Sequence, residues 1–240
     1  VIPVYNEEEN INSVIEELLE NIDTQSPYEI IFVDDSSDDN TFLNIKAINL
    51  QNNNIKILRL ARRSGSHIAT KAGIDASSGD KLLVISGDGQ EDPALIKDMI
   101  SNIADGFDIV WGVRDVREEN LFSRLVTKIF YKGLVRFTKN TTNYSVDISN
   151  ADFYMLGNKV INELKKTSLK NSSLFGLLAW VGFKQISLPY KRRKRLNGNS
   201  KWGLKSKLSL AIDWYISFSP SPLRFVVFSA ITIALAAVIY

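Results

Sequence analysis

Five apolar runs punctuate the first half of the chain: VIPV at 1–4, EIIFV at 29–33, IKILRL at 55–60, KLLVI at 81–85 and DIVWG at 108–112. They recur roughly every 25 residues, and each reads as a strand. Between most of them the apolar positions take helical spacing, as in Ile11, Val14, Ile15, Leu18 and Leu19. This βαβ alternation forces right-handed crossovers. It predicts an α/β fold with a mostly parallel sheet, helices on both faces, and ligands bound beyond the carboxyl ends of the strands. The segments to inspect are therefore those just after each run: YNEEEN, DDSSDDNT, ARRSGSH and SGDGQEDP.

The second half is patterned differently. A polar stretch from Lys139 to Asn150 is the nearest thing to a hinge. Short helical patterns follow, then a basic turn, KRRKRLNGNSK, and an amphipathic helix from about Lys205 to Phe218 that ends at Pro220 and Pro222. The last segment, LRFVVFSAITIALAAVIY, carries no charge over the sixteen residues after Arg224. That falls just short of the roughly 20 needed to cross a bilayer. With basic residues ahead of it, the segment reads as the start of a transmembrane helix entering from the cytoplasmic side. The expected organisation is a catalytic domain over 1–200, an amphipathic juxtamembrane segment over 201–222 and the beginning of a membrane region over 223–240. The chain opens on Val1 without a Met and stops inside an apolar run, as a piece of a longer protein would.

Composition narrows the chemistry. An apolar fraction of 45% over 240 residues supports a full core, while the absence of cysteine and the single His exclude disulfides, thiolate sites and a His-rich zinc site. The net charge of +2 hides an asymmetry. After Glu163 there are 13 Lys and Arg against one acid, Asp213, which gives +12; the preceding part has 16 against 26, which gives −10. The basic run Lys191 to Arg195 has no nucleic-acid motif beside it, so it fits anionic lipid headgroups or a lipid phosphate better than a nucleic acid.

At the strand ends, Tyr5 and Asn6 bring a ring and an amide to the mouth of the sheet, and Glu7 to Glu9 would suit the first turn of the next helix. One N-cap cannot account for all of DDSSDDNT. Asp34 and Asp35, directly on the strand end, suit base and ribose recognition. Asp92 before Pro93 reads as an N-cap with Pro at N1. Asp88 and Gln90, two apart on a loop, can converge their oxygens on a hard divalent cation that bridges two phosphates. Arg62, Arg63 and Arg114, with Arg124 and Lys128 spaced four apart on a predicted helix, would make a cationic mouth for a phosphate. His67 reads as a packing or helix-start residue.

In order along the chain, VIPVYNEEENI, IIFVDDSSDDNT, LARRSGSHIATKAG, ISGDGQEDPALI, WGVR, ADFYML, RLNGNSKW and SFSPSPL resemble the segments of family 2 glycosyltransferases. The nearest branch is that of dolichyl-phosphate mannose synthase and bacterial polyprenyl-phosphate glucosyltransferases. The resemblance implies a GT-A fold, Rossmann-like, in which Pro3, Tyr5, Glu7, Val33 and Asp35 hold the nucleoside. It implies that Asp88 with Gln90 holds Mg2+ or Mn2+ at the diphosphate, that Arg114 and Arg124 grip the acceptor phosphate, and that Asp152 is the active-site acid. Arg195, Ser200 and Lys201 would form the R-x-x-G-x-S-K loop. The chain departs from the family at Ser86, where the metal motif usually has its first Asp, at Ala151, and at Arg63 in place of Asn.

The activity so implied moves a hexose from a UDP- or GDP-linked donor to a polyprenyl phosphate at the membrane, with inversion, in cell-envelope glycan synthesis. Membrane lipids are partners and there is room for a homo-oligomer. A phosphate monoester is largely dianionic at neutral pH, its second pKa lying near 6, so no strong general base is needed. A transferase acting on a sugar hydroxyl, and a non-catalytic nucleotide- or lipid-binding membrane protein, are the alternatives.

Overall fold

A computed structural model describes residues 1–115, 151–167, 174, 177–178, 181–195, 227–233 and 237. All five apolar runs fold as strands: β1 (Ile2–Val4), β2 (Ile30–Asp34), β3 (Ile55–Arg59), β4 (Lys81–Val84) and β5 (Ile109–Arg114). Helices α1 (Ile11–Asn21), α2 (Thr41–Asn49), α3 (Ser66–Ala76) and α4 (Ile96–Ala104) lie between them. The helical spacing first noted at Ile11 is borne out: Ile11, Val14, Ile15 and Leu18 are the buried face of α1. The amphipathic segment expected over 205–218 lies outside the described residues.

Strands β1, β2 and β3 pair in parallel, Pro3 opposite Val33 and Val33 opposite Leu58. A second set pairs in the order β4-β6-β5-β7, where β6 is Ala151–Gly157 and β7 is Gln185–Tyr190. The two sets join at one seam. The Val1 nitrogen donates to the Leu83 carbonyl (2.7 Å) and the Ile85 N–H donates to the Val1 carbonyl (3.2 Å), the pattern of a parallel bridge. Among the described strands, only β6 runs against the rest.

Helical residues do follow β6, in α5 (Asn158–Lys166) and at Leu174, Leu177 and Leu178, but β6 and β7 are strands that the expectation of short helical patterns beyond residue 150 lacked. The reason is burial on both faces. Phe153 and Met155 enter one core and Tyr154 and Leu156 the other, so the run carries no polar alternation to mark it as a strand. Helices cover both faces: α1, α2 and α4 pack over Ile30, Phe32 and Val110, while α3, α5 and the helical Leu174 and Leu178 cover Val84, Ile109 and Trp111. Each large side chain so buried contributes roughly 1.5–3 kcal/mol. Gly112 is required by this packing, because a Cβ there would run into the Phe153 ring.

Register then aims the chemistry. β5 pairs with β7 so that Arg114 faces Tyr190, and the buried Trp111 Nε1 donates to Gln185 Oε1 (2.8 Å) to hold that alignment. Against β6 the register slips between Gly112 and Val113: Gly112 pairs with Phe153 but Val113 with Ala151. Asp152 is the extra residue of this bulge, and a bulge re-aims its side chain. Because β6 is antiparallel, its first residues lie at the same rim as the last residues of β4, β5 and β7.

Among the described residues no helix is long and apolar enough to cross a membrane. Residues 227–233 are helical, and Val227, Phe228, Ile231 and Ile233 on that helix are exposed.

Candidate active site

The loops after β1 and β2 are interlocked. Asn6 and Ser36 both adopt left-handed backbone (φ 53° and 61°). The Asn6 N–H donates to Ser37 Oγ (2.9 Å), the Asp38 N–H to Asn6 Oδ1 (2.9 Å) and the Glu7 N–H to Thr41 Oγ1 (2.7 Å). Tyr5 Oη donates to Asp38 Oδ2 (3.2 Å), and the Arg63 guanidinium lies 4.0 Å over the Tyr5 ring. Helix α1 begins only at Ile11, so Glu7 to Glu9 precede its first turn rather than forming it. Glu7 instead accepts from Asn10 Nδ2 (2.7 Å) and pairs with Arg195.

Asp34 corrects its expected role. It is fully buried, accepts from the Ser37 N–H (3.1 Å) and pairs with Arg59 (3.2 Å), so it belongs to the fold and not to a ligand. Asp35 takes the Ser64 N–H on one oxygen (2.6 Å) and the Gly65 N–H on the other (2.8 Å). The side chain of Val33 is wholly buried against Ile31 and Ala69, and Pro3 is its sheet partner; both underlie the mouth. His67 stands in the first turn of α3, with burial lowering its pKa, in keeping with a packing residue.

After β4 the loop turns at Gly89 (φ 70°), which brings Asp88 and Gln90 to the rim. The Asp92 carboxylate accepts from the Ala94 N–H (3.1 Å) with Pro93 at the first helical position, the cap expected there. Ser86 Oγ sits 2.5 Å from both Asp88 Oδ1 and Glu91 Oε2. One hydroxyl proton serves one of these contacts; the other takes a carboxyl proton, which Glu91 carries below about pH 7. Burial, followed by the charge of Asp88, pushes its pKa up to about 7. Ser86 is thus a clasp on Asp88.

Asp152 gathers the opposite wall. Its Oδ2 is 2.6 Å from Arg114 Nε and accepts from Tyr190 Oη (2.5 Å), while its Oδ1 is 3.6 Å from Arg192 Nη1. Burial, and then the adjacent Asp152 charge, raise the Tyr190 phenol well above its ordinary value, so it stays a donor. Arg192 Nη2 in turn donates to Gln90 Oε1 (2.6 Å), which ties the two walls together. Arg193 pairs with Glu17 and with Asp92 (2.8 Å). Arg192, Arg193 and Arg195 therefore face the acidic half of this same chain, which leaves Lys191 and Lys194, both exposed, as the cations of the run open to anionic headgroups or a lipid phosphate.

The structure brings Asp88, Gln90, Arg114, Asp152 and Arg195 to one rim. Arg124, Lys128, Ser200 and Lys201 lie outside the described residues. Sequence reasoning missed Glu91, Tyr190 and Arg192. The signal for Glu91 was a second acid in QED beyond what one cap needs; for Arg192 it was its place on the first residues after an apolar run, QISLPY.

Asp88 and Gln90 offer one carboxylate and one amide oxygen, hard donors suited to Mg2+ or Mn2+, with phosphate and water oxygens to complete the shell. No group of three His, Cys, Asp or Glu that could hold a metal is found among the described residues.

A sheet of this topology, with a carboxylate loop after β4 and arginines opposite, defines a GT-A Rossmann-like fold. The chain belongs to glycosyl transferase family 2, whose profile matches residues 1–164. It is 36% identical over 233 residues to the uncharacterized glycosyltransferase YkcC of Bacillus subtilis (strain 168), covering 96% of this chain and 71% of that protein. It is 30% identical to the bactoprenol glucosyl transferase of Shigella phage SfV, covering 93% of this chain and 72% of that one. Among solved structures, glucosyl-3-phosphoglycerate synthase from Mycobacterium tuberculosis, crystallised with Mn2+, UDP and glucosyl-3-phosphoglycerate, superposes with a TM-score of 0.56 at 18% identity. That match covers 88% of this chain and 74% of the other.

Proposed function

We propose that this chain transfers a hexose from a nucleotide sugar, in first place a UDP-sugar, to a polyprenyl phosphate at the cytoplasmic face of a membrane, with inversion. The observation that carries the reading is the double wall at the rim: Asp88 and Gln90 on one side, Arg114 on its Asp152 anchor on the other. Relatives that are bactoprenol glucosyl transferases and neighbours crystallised with UDP and Mn2+ or Mg2+ support it. The exposed apolar helix over 227–233 supports contact with lipid.

In this reading Asp88 and Gln90 hold the divalent cation, which supplies charge neutralisation to the leaving diphosphate. Arg114 offsets the repulsion between the two anionic substrates, and Arg124, from the segment outside the described residues, joins it. Asp152 orients Arg114, whose Nε meets its Oδ2 beside the Tyr190 phenol. Tyr190 fixes Asp152 from behind. Arg195, Ser200 and Lys201 complete the diphosphate side, with Tyr5, Glu7 and Asp35 shaping the nucleoside mouth. No general base is called for, because the attacking oxygen belongs to a phosphate that is largely dianionic at neutral pH.

The test is incubation of the intact protein in detergent with a set of nucleotide sugars, polyprenyl phosphate and Mg2+ or Mn2+. A lipid-linked sugar phosphate is the expected product, formed far more slowly with Asp88→Ala. Transfer only to a sugar hydroxyl, or no turnover of any donor, would overturn the proposal.

A further inference from the structure

Gln90 has one oxygen on its side chain, and Arg192 holds it. The Arg192 Nη2 group donates to Gln90 Oε1 at 2.6 Å. The amide is fixed in that sense from the other side as well, where Gln90 Nε2 donates to the Arg193 carbonyl (3.4 Å); the main chains are tied separately, the Gln90 main-chain carbonyl accepting from the Arg193 N–H (2.9 Å). Turning the amide over would confront donor with donor. Arg192 therefore occupies, with a positive charge of its own, the atom by which Gln90 would meet a divalent cation.

Two further features make this hold reversible. The Arg192 Nε is buried with no hydrogen-bond partner among the described residues, so the guanidinium is incompletely satisfied where it lies. Asp152 does not depend on it: with Arg192 at 3.6 Å, the same carboxylate keeps Arg114 at 2.6 Å and Tyr190 at 2.5 Å. Departure of Arg192 leaves the Asp152 carboxylate paired through Oδ2 with Arg114 and Tyr190. A diphosphate would offer the planar guanidinium several charged acceptors in place of one neutral amide oxygen.

We propose that Arg192 is a resident cation of the β4 loop, that it and the divalent metal compete for the Gln90 oxygen, and that the donor diphosphate draws Arg192 away. The inference rests on the donor reading above. Two cations on one neutral oxygen repel at short range, so metal alone binds against Arg192, whereas metal with nucleoside diphosphate does not. Metal and nucleotide are then positively coupled, and by reciprocity each raises the affinity for the other. Arg192 is a positioning residue here, and a specificity filter: a bare metal ion binds weakly, and the loop fills only when a diphosphate arrives.

The experiment is a Mn2+ titration of the intact protein, followed by the electron paramagnetic resonance of free Mn2+, with and without UDP. Wild type is compared with Arg192→Gln, Arg192→Met, Gln90→Ala and the Gln90→Ala, Arg192→Met double variant. Both Arg192 variants are expected to bind Mn2+ alone tighter by on the order of tenfold and to lose most of the enhancement that UDP gives wild type. In the Gln90→Ala background, Arg192→Met should change Mn2+ binding little, because the contested oxygen is gone. If wild type binds Mn2+ and UDP but both Arg192 variants bind Mn2+ equally or more weakly, Arg192 merely props Gln90 and the inference fails while the donor reading stands. If wild type binds neither, both fail.

Discussion

Asp35 and Asp152 stand on the same rim of one sheet and are restrained by opposite means. Asp35 is gripped through both oxygens by main-chain N–H groups of Ser64 and Gly65. Asp152 is surrounded by side chains: Arg114, Tyr190 and Arg192. Backbone donors cannot withdraw without unfolding the loop that bears them, whereas a guanidinium can swing to a new acceptor. The first region is a rigid wall and the second an exchangeable one. Charge cluster alone does not separate the two; the identity of the donors does.

The largest effect expected from that contrast is on turnover. Asp88→Ala should slow sugar-lipid formation by on the order of a thousandfold while shifting stability by less than about 1 kcal/mol. Radiolabel transfer and a denaturant melt measure the two, and a variant keeping a tenth of wild-type rate would move the charge management away from this loop.

Next comes a pH dependence. Glu91 rises from an ordinary 4.5 to about 7 in the fold. Its contribution to stability is complete below the unfolded value, is lost as pH rises from 4.5 to about 7, and is flat above that. The fall should amount to about 3 kcal/mol, at roughly 1.4 kcal/mol per unit. Unfolding free energies measured from pH 4.5 to 8 should show it, and Glu91→Gln, which can both donate to and accept from Ser86, should flatten the curve. An equal slope in the variant would assign the effect to other groups.

The rigid wall is tested by Asp35→Ala, which strips two backbone donors of a charged acceptor and should cost about 2 kcal/mol in chemical denaturation. A loss of activity with no loss of stability would instead make Asp35 a ligand residue first. The smallest effect belongs to Arg193→Ala. Its pairs with Glu17 and Asp92 lie near the surface, and exposed ion pairs are worth about 0–1 kcal/mol. A larger drop, insensitive to salt, would show the basic stretch to be a structural strap.

Much of this arrangement was legible in the sequence, and the part that was not has a physical cause. The five strand ends and the Asp88–Gln90 loop could be read because a parallel βα unit puts its polar residues just after its apolar run. Asp92 could be read because capping is local. Asp34 was misjudged because its partner, Arg59, is distant along the chain though adjacent in the sheet. ADFYMLG hid its strand character by being buried on both sides. Arg192 was hidden within KRRKR, where five cations in a row look solvated until β7 is known to end two residues earlier, beside Gln90.

The slip between Gly112 and Val113 has a consequence for how this chain tolerates lengthening and shortening. Side chains on a strand alternate between faces, so removing Asp152 would cancel the offset and take the acid with it, while removing Ala151 would cancel the offset and set Asp152 opposite Val113. Indels falling squarely at that junction should be lethal to the chemistry even where the sheet re-forms, and a second change restores the carboxylate to Arg114 and Tyr190 only if it is an insertion that reinstates the odd residue.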